Sequence, residues 1–219
     1  MPTPGFPPDT LDSEGTPVWI TDVAWEDPNH TLHVVRGLDP AAALEALGAP
    51  PQEIRPCVLP SPSAKPDAFT SLPATALGAD SQSVVLMAGS AGAWTFVYDD
   101  GGETWDGAKA LSRGGRTAAT SVFTINADAS LAYAVDGTEL VMVNVDDLEL
   151  PSDLASMPEE LRAAFQAAGV AEQDYLEPGN ADYSICMRAV CALADLPRTF
   201  EDLRGVRLLA AAIPTTPLG

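Results

Sequence analysis

His30 and His33 are the only imidazoles in the chain, so any acid–base or metal chemistry that needs histidine has to use them. Three residues apart in an alternating segment, they leave a strand on opposite faces, which keeps them from holding one metal ion. His30 follows the turn signal Asp27-Pro28-Asn29 and is expected in solvent. A Ser–His–acid triad would need one of the two, yet no serine stands in a G-x-S-x-G elbow. Gly89-Ser90-Ala91-Gly92 reads as a turn between strands and opens no helix. The cysteines are Cys57, Cys186 and Cys191, with no CxxC pair among them. Cys186 and Cys191, five apart on a helical stretch, point in different directions, and the thiols are expected reduced. This reading assigns no catalytic residue, no metal ligand and no cofactor, and it expects a protein that is not an enzyme.

Three other constellations invite chemistry. The segment Tyr98-Asp99-Asp100-Gly101-Gly102-Glu103-Thr104-Trp105 contains D-x-G-x-T-W and resembles the Asp-box turn of sialidase-type β-propellers. In that motif an Asp caps the turn, a glycine takes a strained φ and the Trp packs beneath. A propeller repeats the motif blade by blade, and here it occurs once, so an ordinary tight turn is expected, with Trp105 packed on a sheet and no bound metal. A calcium loop would carry acids at alternate positions and a Glu at the twelfth. Here Asp99 and Asp100 are adjacent, and the twelfth residue from Asp99 is Ala110.

The turn Ser112-Arg113-Gly114-Gly115-Arg116 is the densest positive spot. Ser112, Arg113, Gly114 and Arg116, with Trp94 or Trp105 as a stacking wall, form a candidate site for a small anion or small molecule. It lacks the lysine and spacing of a Walker loop. Acids dominate everywhere else: 31 Asp and Glu stand against 11 Lys and Arg, a net charge of −20. Nucleic acid and anionic membranes need cationic side chains to bind phosphate, so neither is an expected partner. A basic protein is, unless the charge serves solubility alone. Asp146, Asp147, Glu149 and Asp153 form the candidate acidic patch for it.

The elements that must position these groups follow from periodicity and turn chemistry. Residues 1–17 carry five prolines and 49–80 carry seven more, and neither stretch is expected to join the core. Residues 18–213 are read as one domain with 49–80 as an insertion, and 214–219 as a tail. Residues 18–25 are an apolar stretch, 31–35 a strand, and Asp39-Pro40 starts a helix over 41–47 that stops at Gly48. Strands are expected at 83–87 and 93–98, the latter with Trp94, Phe96 and Tyr98 on one face. A polar turn at 99–106 and a short helix at 107–111 come next. A meander follows over 117–125, 131–135 and 139–145, with Asp136-Gly137 as a two-residue hairpin turn. Beyond residue 151 the period becomes helical. Ser156 and Glu159 suggest a capping box opening a helix to Gly169, and further helical stretches cover 182–194 and 199–203. Residues 206–212 are expected to close a sheet edge. The fold class is α+β: a single, mostly antiparallel sheet of about six strands, with helices packed on one face and concentrated in the C-terminal third.

The blocks HVVRGLDPAAALEALGA and ALSRGGRTAATSVFTINADASLAYAVDGTEL, with a Trp-bearing hairpin between them, resemble an uncharacterised actinobacterial family, domain of unknown function 6461. The matching blocks run from about Trp19 to Gly205, with RGLDP and LSRGGR the most specific. The resemblance implies a bacterial origin and no established activity, cofactor or catalytic residue. The N-terminus has no basic region followed by an apolar one, and no apolar run is long enough to span a bilayer, so a cytoplasmic protein is expected. A protein-binding module of the immunity or inhibitor type is the leading functional reading. A small-molecule or anion-binding domain, or a structural component of a larger assembly, stands as the alternative.

Overall fold

Asp136 and Gly137 both take positive φ, 48° and 75°. They join β6 (Ala129–Val135) to β7 (Thr138–Asn144) as the two-residue hairpin that their types predict. Gly92, at φ 57°, turns β3 (Val84–Ala91) into β4 (Trp94–Asp99). This second hairpin is tighter than expected, because Ala88, Gly89, Ser90 and Ala91 continue the strand and pair with Val97, Phe96, Thr95 and Trp94. The computed structural model describes residues 3–26, 29–79, 83–124, 126, 128–147, 152–170 and 182–213. Asp27 and Pro28 of the expected turn, Glu149 of the acidic patch and the tail 214–219 lie outside the described residues.

β1 (His30–Arg36) pairs with β4 on one side and β5 (Thr117–Phe123) on the other. β8 (Leu208–Ile213) lies between β3 and β2 (Arg55–Cys57). One open antiparallel sheet of eight strands results, in the order β2-β8-β3-β4-β1-β5-β6-β7. The sequence suggests about six. β2 escapes it because it is three residues around Pro56, and proline is tolerated only where a ladder hydrogen bond is dispensable. β8 is an interior strand rather than the expected edge, since β2 covers it.

Helices cover both faces, which corrects the expected single layer. On one face α1 (Val18–Val23), α3 (Leu72–Leu77), α6 (Glu159–Ala167), α7 (Ile185–Leu193) and α8 (Phe200–Arg204) share a core with Phe96, Tyr98 and Leu131. On the other, α2 (Pro40–Ala46) and α4 (Gly107–Ser112) bury Leu44 and Leu111 against Val35, Leu86 and Val97. Four of these helices precede residue 113, so they are not confined to the C-terminal third. Coverage of both faces explains why β4 is buried along its whole length and β3 along its first six residues. α2 starts as read: the Asp39 carboxylate accepts from Ala41 N and Ala42 N, both at 3.1 Å. α6 does not. Its N-cap is Pro158, without a side-chain cap, and the Ser156 hydroxyl instead donates to Asp153 O at the end of α5 (Ser152–Ser156). The capping box that does form is Thr199 with Asp202, opening α8.

The proline-rich stretches join the core after all. Phe6, Leu59 and Leu72 are buried in the larger cluster. Proline prevents regular ladders but leaves single apolar side chains free to pack, and it removes donors that burial would orphan. The N-terminal stretch is held from the far end of the chain. Arg188, only 4% exposed, donates to Ala168 O and Gly15 O, both at 2.9 Å, and forms an ion pair with Asp182. Replacing Arg188 by Met removes that fork and strands two carbonyls. The Arg188→Met protein should lose about 3–5 kcal/mol in urea unfolding and become cleavable before residue 18 in limited proteolysis. A variant of unchanged stability would contradict this role.

Candidate functional site

Two adjacent carboxylates, Asp99 and Asp100, are buried at the end of β4. The Asp99 carboxylate accepts from Gly101 N at 3.0 Å, Gly102 N at 2.9 Å, Thr104 N at 2.8 Å and the Thr104 hydroxyl at 2.6 Å. Asp99 therefore caps the turn, with Gly102 at φ 73°. Asp100, the Asp of the D-x-G-x-T-W pattern, instead accepts from Val85 N at 2.7 Å and from the Ser71 hydroxyl, the N-cap of α3. Burial raises both carboxyl pKa values, that of Asp100 to about 7, although the hydrogen bonds pull the other way.

His33 continues this network. The Thr104 hydroxyl gives its proton to Asp99, so it accepts from His33 Nε2–H at 2.8 Å. Nδ1 then accepts from the Thr120 hydroxyl, also at 2.8 Å. Burial lowers the His33 pKa to about 3, so the ring is neutral. The chain Asp99–Thr104–His33–Thr120 ends at a hydroxyl that is 1% exposed, where no substrate reaches it. A Cβ on Gly107 would sit 2.6 Å from His33 Cε1, so only glycine lets α4 start this close. His30, expected in solvent, is 3% exposed, and burial lowers its pKa to about 4. It opens β1 and packs its ring, tilted, with centroids 5.5 Å from Phe123 and 5.8 Å from Tyr98. The two imidazoles do point to opposite faces. Trp105 corrects another expectation: it is 61% exposed and does not pack on the sheet. Among the described residues no group of three or more His, Cys, Asp or Glu is placed to hold a metal ion. Cys57, Cys186 and Cys191 are free and buried, which pushes their thiols up to about 11, 12 and 12.

The turn after α4 closes on the protein itself. Gly115 N donates to the Asp136 carboxylate at 2.8 Å, Arg116 Nε to Leu111 O at 3.2 Å, and Gly137 N to the Ser112 hydroxyl at 3.0 Å. Gly114 and Gly115 both have positive φ, and Arg113 is exposed. Trp94 and Trp105 are not brought together: Trp94 opens β4, under the Arg36 guanidinium at 4.4 Å, and Trp105 follows the turn beyond its other end.

At the far edge of the sheet lies β7, whose only strand neighbour among the described residues is β6. A bulge leaves Leu140 without a partner, since Val141 pairs with Tyr133 and Glu139 with Ala134. Leu140 and Met142 are 55% and 58% exposed. A groove of about 500 Å³ runs along this edge, lined by residues 140–144 with Asp153, Ser156 and Met157. Of the acidic patch, Asp153 lines the groove and Asp146 lies just past the strand, accepting from the Tyr183 hydroxyl at 3.1 Å. Asp147 closes the 3-10 turn between them. Sequence reasoning missed the groove, Ser71 and Thr104. Ser71-Leu72-Pro73 carries an N-cap signal, serine with proline in the first turn. Nothing in the sequence marks the partner of Asp100.

Fold and site together define an antiparallel α+β protein in which Asp99, Thr104, His33 and Thr120 form a buried hydrogen-bonded chain. The chain matches the model of a family of unknown function, DUF6461, over residues 17–213 and belongs to that family. Comparison with curated proteins and with solved structures gives no match. No helix among the described residues is long and apolar enough to cross a membrane.

The raised pKa of Asp100 has a measurable consequence. The folded state holds this proton more tightly than the unfolded chain, so Asp100 weakens the fold as pH rises from about 4 to 7. His30 and His33, with lowered pKa values, act oppositely, weakening it as pH falls below 6.5. Substituting Asp100→Asn isolates the first effect. Relative to the parent, the variant should gain stability across pH 4 to 7, by up to about 4 kcal/mol. A stability difference that is flat with pH in urea titrations would refute the assignment.

Proposed function

We propose that this chain is a non-enzymatic binding module that receives an extended, basic segment of a partner protein along the outer edge of β7. The observation that carries the reading is the conjunction at that edge: exposed Leu140 and Met142 beside a groove, in a protein of net charge −20. An unpaired edge offers a row of backbone donors and acceptors to an added strand, and the groove offers contact for its side chains. Asp146 and Asp153 give the sign of the partner. The bulge at Leu140 limits the added strand to the stretch that follows, 141–144. Capture of a basic toxin or enzyme, in the manner of an immunity or inhibitor protein, is the sharpest form of this reading. Its acidic surface sets nucleic acid and anionic membranes outside the partner class. The free, buried cysteines accord with a cytoplasmic setting.

Two pentapeptides test it, one alternating lysine with valine and the other glutamate with valine. The cationic peptide should shift backbone amide resonances of β7 and of Asp146 and Asp153, and added salt should weaken it several-fold. The Met142→Lys variant should bind it less well, and the anionic peptide should leave β7 unmoved. Equal binding of both peptides, or shifts confined to other surfaces, would overturn the proposal.

A further inference from the structure

A second concavity lies away from β7, where the N-terminal stretch meets the start of β1. It is a cavity of about 320 Å³, within the range of small-molecule sites. Its walls are held by specific bonds. Trp25 Nε1 donates to Asp100 O at 2.8 Å, which fixes the indole. Glu26 N donates to Ala68 O at 2.7 Å and Lys65 Nζ to Ala24 O, closing the side formed by the proline-rich segment. Asp12 is locked by bonds from Glu14 N, Thr16 N and the Thr21 hydroxyl.

Within these walls the chemistry is graded. His30 and Phe123, a cross-strand pair, supply aromatic surface together with Trp25. His30 is 3% exposed and lines the cavity. Tyr98 Oη stands 3.5 Å from its Nδ1, at the limit of a hydrogen bond, and Nε2 has no partner among the described residues. An imidazole nitrogen that lacks a protein partner and belongs to a residue on a cavity wall is free to take one from a ligand. Nearer solvent, Asp12, Glu14 and Glu26 set three carboxylates against the single ammonium of Lys65, which is itself bonded to Ala24 O.

We propose that this cavity binds a small aromatic amine bearing a ring hydroxyl. The ring lies against Trp25 and Phe123, the hydroxyl meets His30 Nε2, and the ammonium stays among the rim carboxylates. A hydroxyl suits either tautomer of the neutral imidazole, because it both donates and accepts. An aromatic wall beside carboxylates favours a cation through both the ring quadrupole and direct attraction. An anion of the same shape meets net negative charge at the mouth and, among the described lining residues, no cation at the floor. This site is independent of the β7 edge, and either can fail alone.

Isothermal titration calorimetry with tyramine, phenethylamine and 4-hydroxyphenylacetate tests the proposal on the intact chain. Tyramine should bind at millimolar concentration or below, and the carboxylate at least about tenfold more weakly. Phenethylamine, lacking the hydroxyl, should bind several-fold more weakly than tyramine. His30→Phe should erase the difference between the two amines. Glu26→Gln, at an exposed position that leaves the fold untouched, should weaken both amines and not the acid. Tyramine failing to bind, the acid binding as tightly as tyramine, or Glu26→Gln changing nothing would each sink the assignment.

Discussion

Burying two adjacent carboxylates costs several kcal/mol each unless donors meet their oxygens, and the end of β4 is built around meeting those of Asp99 and Asp100. The loop 101–104 curls back to offer three backbone amides and a hydroxyl to Asp99. β3 contributes Val85 N to Asp100, and the proline-rich segment contributes Ser71. Through Thr104 the network reaches His33 on β1 and Thr120 on β5. Through the Asp100 carbonyl it also fixes Trp25, just past α1. One buried pair thus ties three neighbouring strands, β3, β4 and β1, to a fourth, to the proline-rich segment and to the first helix.

The acids divide by this rule into two kinds. Asp99 and Asp100 are enclosed and bonded from within, whereas most of the remaining carboxylates among the described residues are not buried and make the surface negative. The two sheet edges divide likewise. β2 is short, carries Pro56 and presents little to another strand, which is how edges are commonly blunted. β7 has seven residues and exposed apolar side chains, and its bulge leaves the stretch after Leu140 open. A partner that adds a strand therefore has one edge suited to it.

Local chemistry made much of the fold legible in the sequence. Asp136-Gly137, Asp39-Pro40 and the alternation of Trp94, Phe96 and Tyr98 each state their conformation within a few residues. What stayed hidden depends on distant parts of the chain. The second helical layer was obscured because the two helices that form it, α2 and α4, are short, and Leu44 and Leu111 are the large side chains among their buried residues. The burial of His30 depends on Phe123 and Tyr98, ninety-three and sixty-eight positions away, and a turn signal beside it suggested solvent. In the turn, the D-x-G-x-T-W pattern located a capped loop yet misassigned the cap. Asp99 reaches the loop amides, while Asp100 faces Val85 and Ser71, and only the pleat of β4 distinguishes them. The acidic patch was readable as composition. The groove beside it required the bulge, which periodicity does not announce.

If the enclosed acid pair holds this region together, the amides that bond to it should be as hard to open as the sheet itself. Native-state hydrogen exchange read residue by residue makes that comparison directly. Gly101, Gly102 and Thr104, although they lie in a loop, should exchange with protection close to that of Leu32 and Val97 in the adjoining strands, and protection at all three should fall in an Asp99→Asn variant. Exchange of these loop amides at the rate of exposed turns, with the strands still protected, would show that the turn opens on its own and would contradict the account.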